Sequence, residues 1–107
     1  MTLRQKQSKF ARLLAHLIDH IYVMGYEVTL GEAWRPHEGI YPVGSVPRCH
    51  SMRLAVDLNL FHNGKYLRST AAWKAIGEYW EALDTDCRWG GRWNDGNHVS
   101  LTHRGMK

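Results

Sequence analysis

From Leu54 to Leu60 the chain alternates without a break. Leu54, Val56, Leu58 and Leu60 are large and aliphatic, and Ala55, Asp57 and Asn59 stand between them. This period of two fits a strand with one face buried in a core and the other turned away from it. Asn63-Gly64 follows, a strong hairpin signal, so Lys65 to Leu67 is expected to return antiparallel. A slip of one residue would exchange the two faces, so the register here constrains the whole domain. The same strand also poses a problem. Asp57 is flanked by Val56 and Leu58, where a carboxylate is costly unless something pairs with it.

The remaining elements are read around that strand. Phe10, Leu13, Leu14, Leu17, Ile18 and Ile21 recur at three- and four-residue intervals, which predicts an amphipathic helix over residues 3–24 ended by Gly25. His16 and His20 are four apart on it and read as polar-face residues. Tyr26 to Trp34 alternates like a strand, with Tyr26, Val28 and Leu30 on one side. Residues 36–48 hold all three prolines and read as a long loop, a feature that in small domains tends to be functional. Ser69 is placed to cap a second helix over residues 70–83, with Trp73, Ile76, Trp80 and Leu83 inward. Residues 84–97 read as loop, and His98 to Thr102 as a final strand. The order α-β-β-β-α-β predicts an α+β domain, a small antiparallel sheet with flanking helices.

Composition narrows the functional classes. A chain of 107 residues fits one domain, 1–107. Two cysteines without a CxxC pair make neither a disulfide framework nor a thiolate zinc finger. The start Met1-Thr2-Leu3-Arg4-Gln5-Lys6 lacks the apolar core of a signal peptide, and no stretch reaches the length of a membrane span. A charge of +4 is mild and scattered, and it favours an anionic partner. Five tryptophans and five tyrosines are many for this length; tryptophans fill cores, but they also line grooves for sugars and peptides.

Metal chemistry would resolve the problem at Asp57. A catalytic zinc takes three protein ligands and keeps one position for water. His50, Asp57 and His98 would supply such a set. His50 and Asp57 lie seven residues apart, roughly 23 Å in a strand or 10 Å in a helix. The chain must therefore fold back between them, at Ser51-Met52-Arg53. Asp95, three before His98 with Gly96 between, could reach the attacking water as a general base without binding the metal. Arg35 is a candidate to hold a substrate carboxylate or polarise a carbonyl.

These residues carry a resemblance. His50 to Asp57, read as His-x-x-x-x-Ala-x-Asp, resembles the first zinc motif (Ser-x-His-x-x-Gly-x-Ala-x-Asp) of the D-Ala-D-Ala carboxypeptidase and L-alanyl-D-glutamate endopeptidase family. Asp95-Gly96-Asn97-His98 is similar to its second motif, an acid followed shortly by a zinc histidine. Trp89-Gly90-Gly91-Arg92-Trp93 resembles the approach to that motif in the phage endolysin branch, and Arg35 stands where the family has an arginine after its first strand. Arg48 and Arg53 occupy the family's serine and glycine positions. The resemblance covers residues 26–101. It implies a fold of the hedgehog and D-Ala-D-Ala peptidase type and a Zn2+ cofactor. It also implies hydrolysis of peptide-stem bonds in bacterial peptidoglycan, with L-Ala-D-Glu endopeptidase first and D-Ala-D-Ala carboxypeptidase second.

The expectation is thus a monomeric zinc peptidase, without nucleic acid or stable membrane insertion. It would be stored in a host cytoplasm and released to the wall through a holin-type hole. Two alternatives stand beside it. One is a cysteine hydrolase with Cys49 as nucleophile and His98 as base. The other is a non-catalytic basic binding module, whose attachment to a polyanion would weaken steeply with salt.

Overall fold

The computed structural model describes residues 1–33, 49–50 and 52–106. Its elements are α1 (Leu3–Val23), β1 (Glu27–Leu30), β2 (Ala55–His62), β3 (Lys65–Leu67), α2 (Thr70–Leu83), β4 (Cys87–Trp89) and β5 (His98–Leu101). A 3-10 turn at Gly90–Trp93 joins the last two strands. The order expected from sequence is present with one addition. β4 falls inside the stretch 84–97 that reads as loop. Three residues are too few to show a period, and β4 is held by its pairing to β5.

β2 is the strand on which the sheet is built. The order is β1-β2-β5-β4, all antiparallel, with β3 also on β2. Leu60 pairs with both Val28 of β1 and Leu67 of β3, so those strands lie on opposite edges. β5 shares the β3 edge, opposite Ala55 to Asp57. The Asn63-Gly64 turn forms with both residues at positive φ, 51° and 77°, as a two-residue hairpin turn of the primed type requires.

The helices are capped as their sequences suggest. Thr2 Oγ1 accepts from Gln5 N while Gln5 Oε1 accepts from Thr2 N, a capping box. Ser69 Oγ accepts from Ala72 N. α1 ends with Tyr26 N donating to Ile21 O and Gly25 N to Tyr22 O, a Schellman motif with Gly25 in the left-handed conformation at φ 91°. Both helices bury their apolar faces with the aliphatic side of the sheet. Phe10, Leu17 and Ile21 of α1, Trp73, Ile76 and Trp80 of α2, and Leu54, Val56, Leu58 and Leu60 form one cluster. The Trp80 indole donates to Ser100 O at 3.2 Å and Arg88 O at 3.0 Å, tying α2 to β5 and β4. Leu30, which shares a side with Val28, is 68 % exposed at the end of β1, an edge strand.

One glycine is fixed by this packing. A Cβ at Gly77, in α2, would meet ring atoms of Trp89 at 2.1–2.4 Å. In an open helix Gly→Ala stabilises by about 1 kcal/mol. Here Gly77→Ala is expected to reverse that sign and cost about 1–3 kcal/mol by overpacking, read as a lower urea midpoint with an unchanged slope.

Candidate metal centre

The turn before β2 solves the reach problem that the spacing poses. Leu54 N donates to Cys49 O at 2.8 Å and Arg53 N to His50 O at 3.2 Å. These are the two bonds of a Schellman motif, the pattern that ends α1. The residue at its left-handed position is Arg53, with φ 57°. The chain doubles back through this single turn, and His50 comes to face the strand that follows. Arg53 stands where the family to which the sequence bears a resemblance has glycine, and it accepts the backbone conformation that glycine adopts more easily.

Asp57 and His98 are brought together by register. They are direct cross-strand partners of β2 and β5. Leu58 N donates to Asn97 O and Leu101 N to Leu54 O, so Asp57 and His98 occupy the non-hydrogen-bonded position between bonded pairs, where facing side chains approach most closely. On the other edge of β2, Gly31 N donates to Asp57 O and Asp57 N donates to Glu32 O, both at 2.8 Å. Two residues thus face one, a bulge next to β1. A Cβ at Gly31 would lie 2.7 Å from Asp57 O. Gly31 therefore lets the backbone close on Asp57, and sequence reading passed over it. A lone glycine closing a strand pattern is the available signal.

The three side chains converge. Asp57 Oδ1 lies 3.3 Å from His50 Nε2 and 3.4 Å from His98 Nδ1. One donor atom from each residue falls within 4.8 Å of the others, and this is the grouping among the described residues that could hold a metal ion. A tetrahedral ion with bonds of about 2.0–2.1 Å separates its ligands by roughly 3.3–3.4 Å, which matches both separations. The far ring nitrogens, His50 Nδ1 and His98 Nε2, are buried without a hydrogen-bond partner among the described residues. The rings are placed by packing instead, His50 edge-on to His98 at 5.1 Å and Trp93 edge-on to His98 at 5.5 Å. Burial pushes the Asp57 carboxyl pKa up, but hydrogen bonding and charge from His50 and His98 outweigh it, and the group lies well below the usual carboxylate range. Asp57 is thus held ionised, the form a metal ligand needs.

Asp95 stands beside this group. Its Oδ2 is 4.0 Å from His98 Nδ1, and its side chain is 48 % exposed. The turn that carries it is tightly fitted. Asp95 N donates to Gly90 O and His98 N to Asp95 O. A Cβ at Gly90 would collide with Asp95 O at 2.1 Å and His98 Cβ at 2.7 Å. The buried Trp89 indole donates to Gly96 O at 2.7 Å. The run Trp89-Gly90-Gly91-Arg92-Trp93 is therefore the mould of the Asp95–His98 turn. Trp89 is core and Trp93 is partly exposed at the site.

Several sequence expectations take other places. Arg35 and His37 lie outside the described residues. His20 stacks on Tyr79 with ring centroids 3.6 Å apart, and His16 is exposed, so this helical pair forms no site. The cysteine alternative meets a direct obstacle. Cys49 is wholly buried, its thiol donates to Leu101 O at 3.3 Å, and desolvation pushes its pKa up to about 11. A nucleophile needs an accessible thiolate, and Cys49 offers neither access nor charge at neutral pH.

Residues 49–101 match the model of a family described as D-alanyl-D-alanine carboxypeptidase. The matched span begins at the turn that presents His50 and ends with the strand that presents His98. No curated protein matches the chain.

The turn generates a test in which the side chain cancels. Arg53→Gly and Arg53→Ala both remove the guanidinium and differ in the cost of positive φ. The glycine variant is expected to be more stable than the alanine variant by about 1 kcal/mol, measured by urea denaturation.

Proposed function

Because the chain belongs to the D-alanyl-D-alanine carboxypeptidase family, we propose that it is a zinc-dependent peptidase acting on the peptide stem of bacterial peptidoglycan. The observation that carries this reading is the convergence of His50, Asp57 and His98, with His50 Nε2 and His98 Nδ1 each 3.3–3.4 Å from Asp57 Oδ1. Two histidines and one carboxylate also serve iron oxygenases, and membership of a peptidase family favours zinc. A bound zinc ion would supply a nucleophile from water at neutral pH and polarise the scissile carbonyl.

The chain's own residues divide the remaining work. His50, Asp57 and His98 would hold the ion. Asp95 takes the proton of the attacking water on Oδ2 and passes it to the leaving amine. Its exposure leaves the carboxylate ready to meet substrate, while its backbone is clamped between Gly90 and His98. Arg35 is assigned to a substrate carboxylate. Trp93 gives the site an aromatic wall beside His98.

The preferred bond is L-Ala-D-Glu, supported by the endolysin-like stretch from Trp89 to Trp93. D-Ala-D-Ala carboxypeptidase activity is the second reading, favoured by the family description. We place the protein among monomeric phage or prophage endolysins, stored in the host cytoplasm and reaching the wall by holin-type release. Its net positive charge suits an anionic envelope. No helix among the described residues is long and apolar enough to cross a membrane.

Mass spectrometry of digested peptidoglycan tests the reading. Cleavage should yield stem peptides with a new amino-terminal D-Glu, stop with chelator, return with zinc, and persist after iodoacetamide. Loss of a terminal D-Ala instead would favour the carboxypeptidase, and cleavage that survives chelation would overturn the zinc mechanism. Asp95→Asn should lower kcat by about 10²–10⁴ while the zinc content measured by elemental analysis stays at wild-type level.

A further inference from the structure

The face of β2 that carries Asp57 continues past the metal centre as a polar and aromatic track. Asp57, Asn59 and Phe61 alternate on it, all partly exposed, while Val56, Leu58 and Leu60 are buried on the other side. Cross-strand partners widen the track. Thr29 and Glu27 of β1 lie opposite Asn59 and Phe61, and Tyr66 of β3 lies opposite Phe61. Contacts show that these side chains share one face. Asn59 Nδ2 donates to Thr29 Oγ1 at 3.1 Å, and the Tyr66 hydroxyl donates to Asn59 Oδ1 at 3.3 Å. The Phe61 and Tyr66 rings stack at 5.3 Å, and the Arg68 guanidinium lies 5.2 Å from the Tyr66 ring centre. Tyr66 is 45 % exposed, so this pair is not part of the core.

We propose that the Phe61–Tyr66 pair, with Asn59 and Arg68, is a subsite for the sugar ring that carries the peptide stem. This rests on the peptidoglycan reading above. A pyranose has an apolar C–H face and a rim of hydroxyl and acetamido groups. The pair offers exposed aromatic surface to that face, and Asn59, Arg68 and Glu27 offer both donors and acceptors to that rim. Distance selects the ligand further. Phe61 is four strand residues from Asp57, about 13 Å. From an L-Ala-D-Glu bond, one alanine and one lactyl unit, about 7 Å of extended chain, precede the sugar, and the ring itself fills the rest. A cut at the D-Ala-D-Ala end would hold the ring five units off, roughly 17 Å, beyond the platform. The subsite thus ties the enzyme to the L-Ala-D-Glu bond rather than to the D-Ala-D-Ala end of the stem.

The test compares an N-acetylmuramoyl tripeptide with the same N-acetylated tripeptide lacking the sugar. Wild-type protein should show the higher kcat/KM on the muramoyl substrate. Tyr66→Ala should lower kcat/KM on the muramoyl substrate about three- to tenfold more than on the bare peptide, mainly through KM. Tyr66→Phe, which keeps the ring, should keep the wild-type ratio. Equal losses on both substrates, or an unchanged ratio in Tyr66→Ala, would overturn the subsite. Wild-type cleavage of both peptides without preference would overturn the subsite alone. Cleavage of neither would overturn the L-Ala-D-Glu reading and the subsite with it.

Discussion

A carboxylate in the middle of a strand paired on both edges is the constraint on which this structure turns. Asp57 has its backbone engaged toward β1 through Gly31 and Glu32, and β5 closes the other edge. The peptide unit can neither rotate nor slide, so the side chain has one place to be. His98 is set against it by register, and His50 is delivered by the preceding turn. Each imidazole lies within 3.4 Å of the same oxygen. Among the described residues, the cost of a charged group between Val56 and Leu58 is offset by those partners, one from the preceding turn and one from β5. The site therefore belongs to the completed sheet and to no local segment of it.

The two Schellman turns show how the same backbone solution is reached with different residues. Gly25 closes α1 and Arg53 closes the turn after His50, each with a 6→1 and a 5→2 hydrogen bond. Glycine adopts the left-handed conformation at no steric cost, whereas arginine pays a modest energy for it. The turn survives the substitution because its hydrogen bonds and the burial of Cys49 and Leu54 on either side hold it. Arginine at this position thus bears on the energy of a turn whose two hydrogen bonds nonetheless form.

Much of this was legible in the sequence because it rests on period and spacing. The alternation from Leu54 to Leu60 identified β2 and its buried face, Asn63-Gly64 its hairpin, and Ser69 the start of α2. The demand for a bend between His50 and Asp57 followed from chain length alone. What was not legible depends on tertiary contact. β4 has three residues and exists through pairing with β5. The importance of Gly31 lies in its approach to Asp57 O, and that of Gly90 in its approach to Asp95 and His98. Trp89 could as well have lined a groove. Its place in the core is decided by the absence of a side chain at Gly77, on another element.

The glycines and the tryptophan also explain why a small domain can hold such a site accurately. A domain of this size buries proportionally little surface, so long-range packing alone leaves its loops soft. Here the turn from Trp89 to His98 is moulded at short range. Trp89 is anchored against Gly77 and bonds Gly96 O, Gly90 admits the Asp95 carbonyl, and Asp95 and His98 close the turn between them. Asp95 and His98 thus sit on a single tightly fitted turn, and His50 and Asp57 on another turn and the strand it leads into. Assembling the candidate site reduces to fixing these two pieces against each other. The β2–β5 ladder does this through the pairs Ala55–Ser100, Val56–Val99 and Asp57–His98. The pair that completes the ladder is the pair that would bind the metal, so folding of the sheet and assembly of the site are one event.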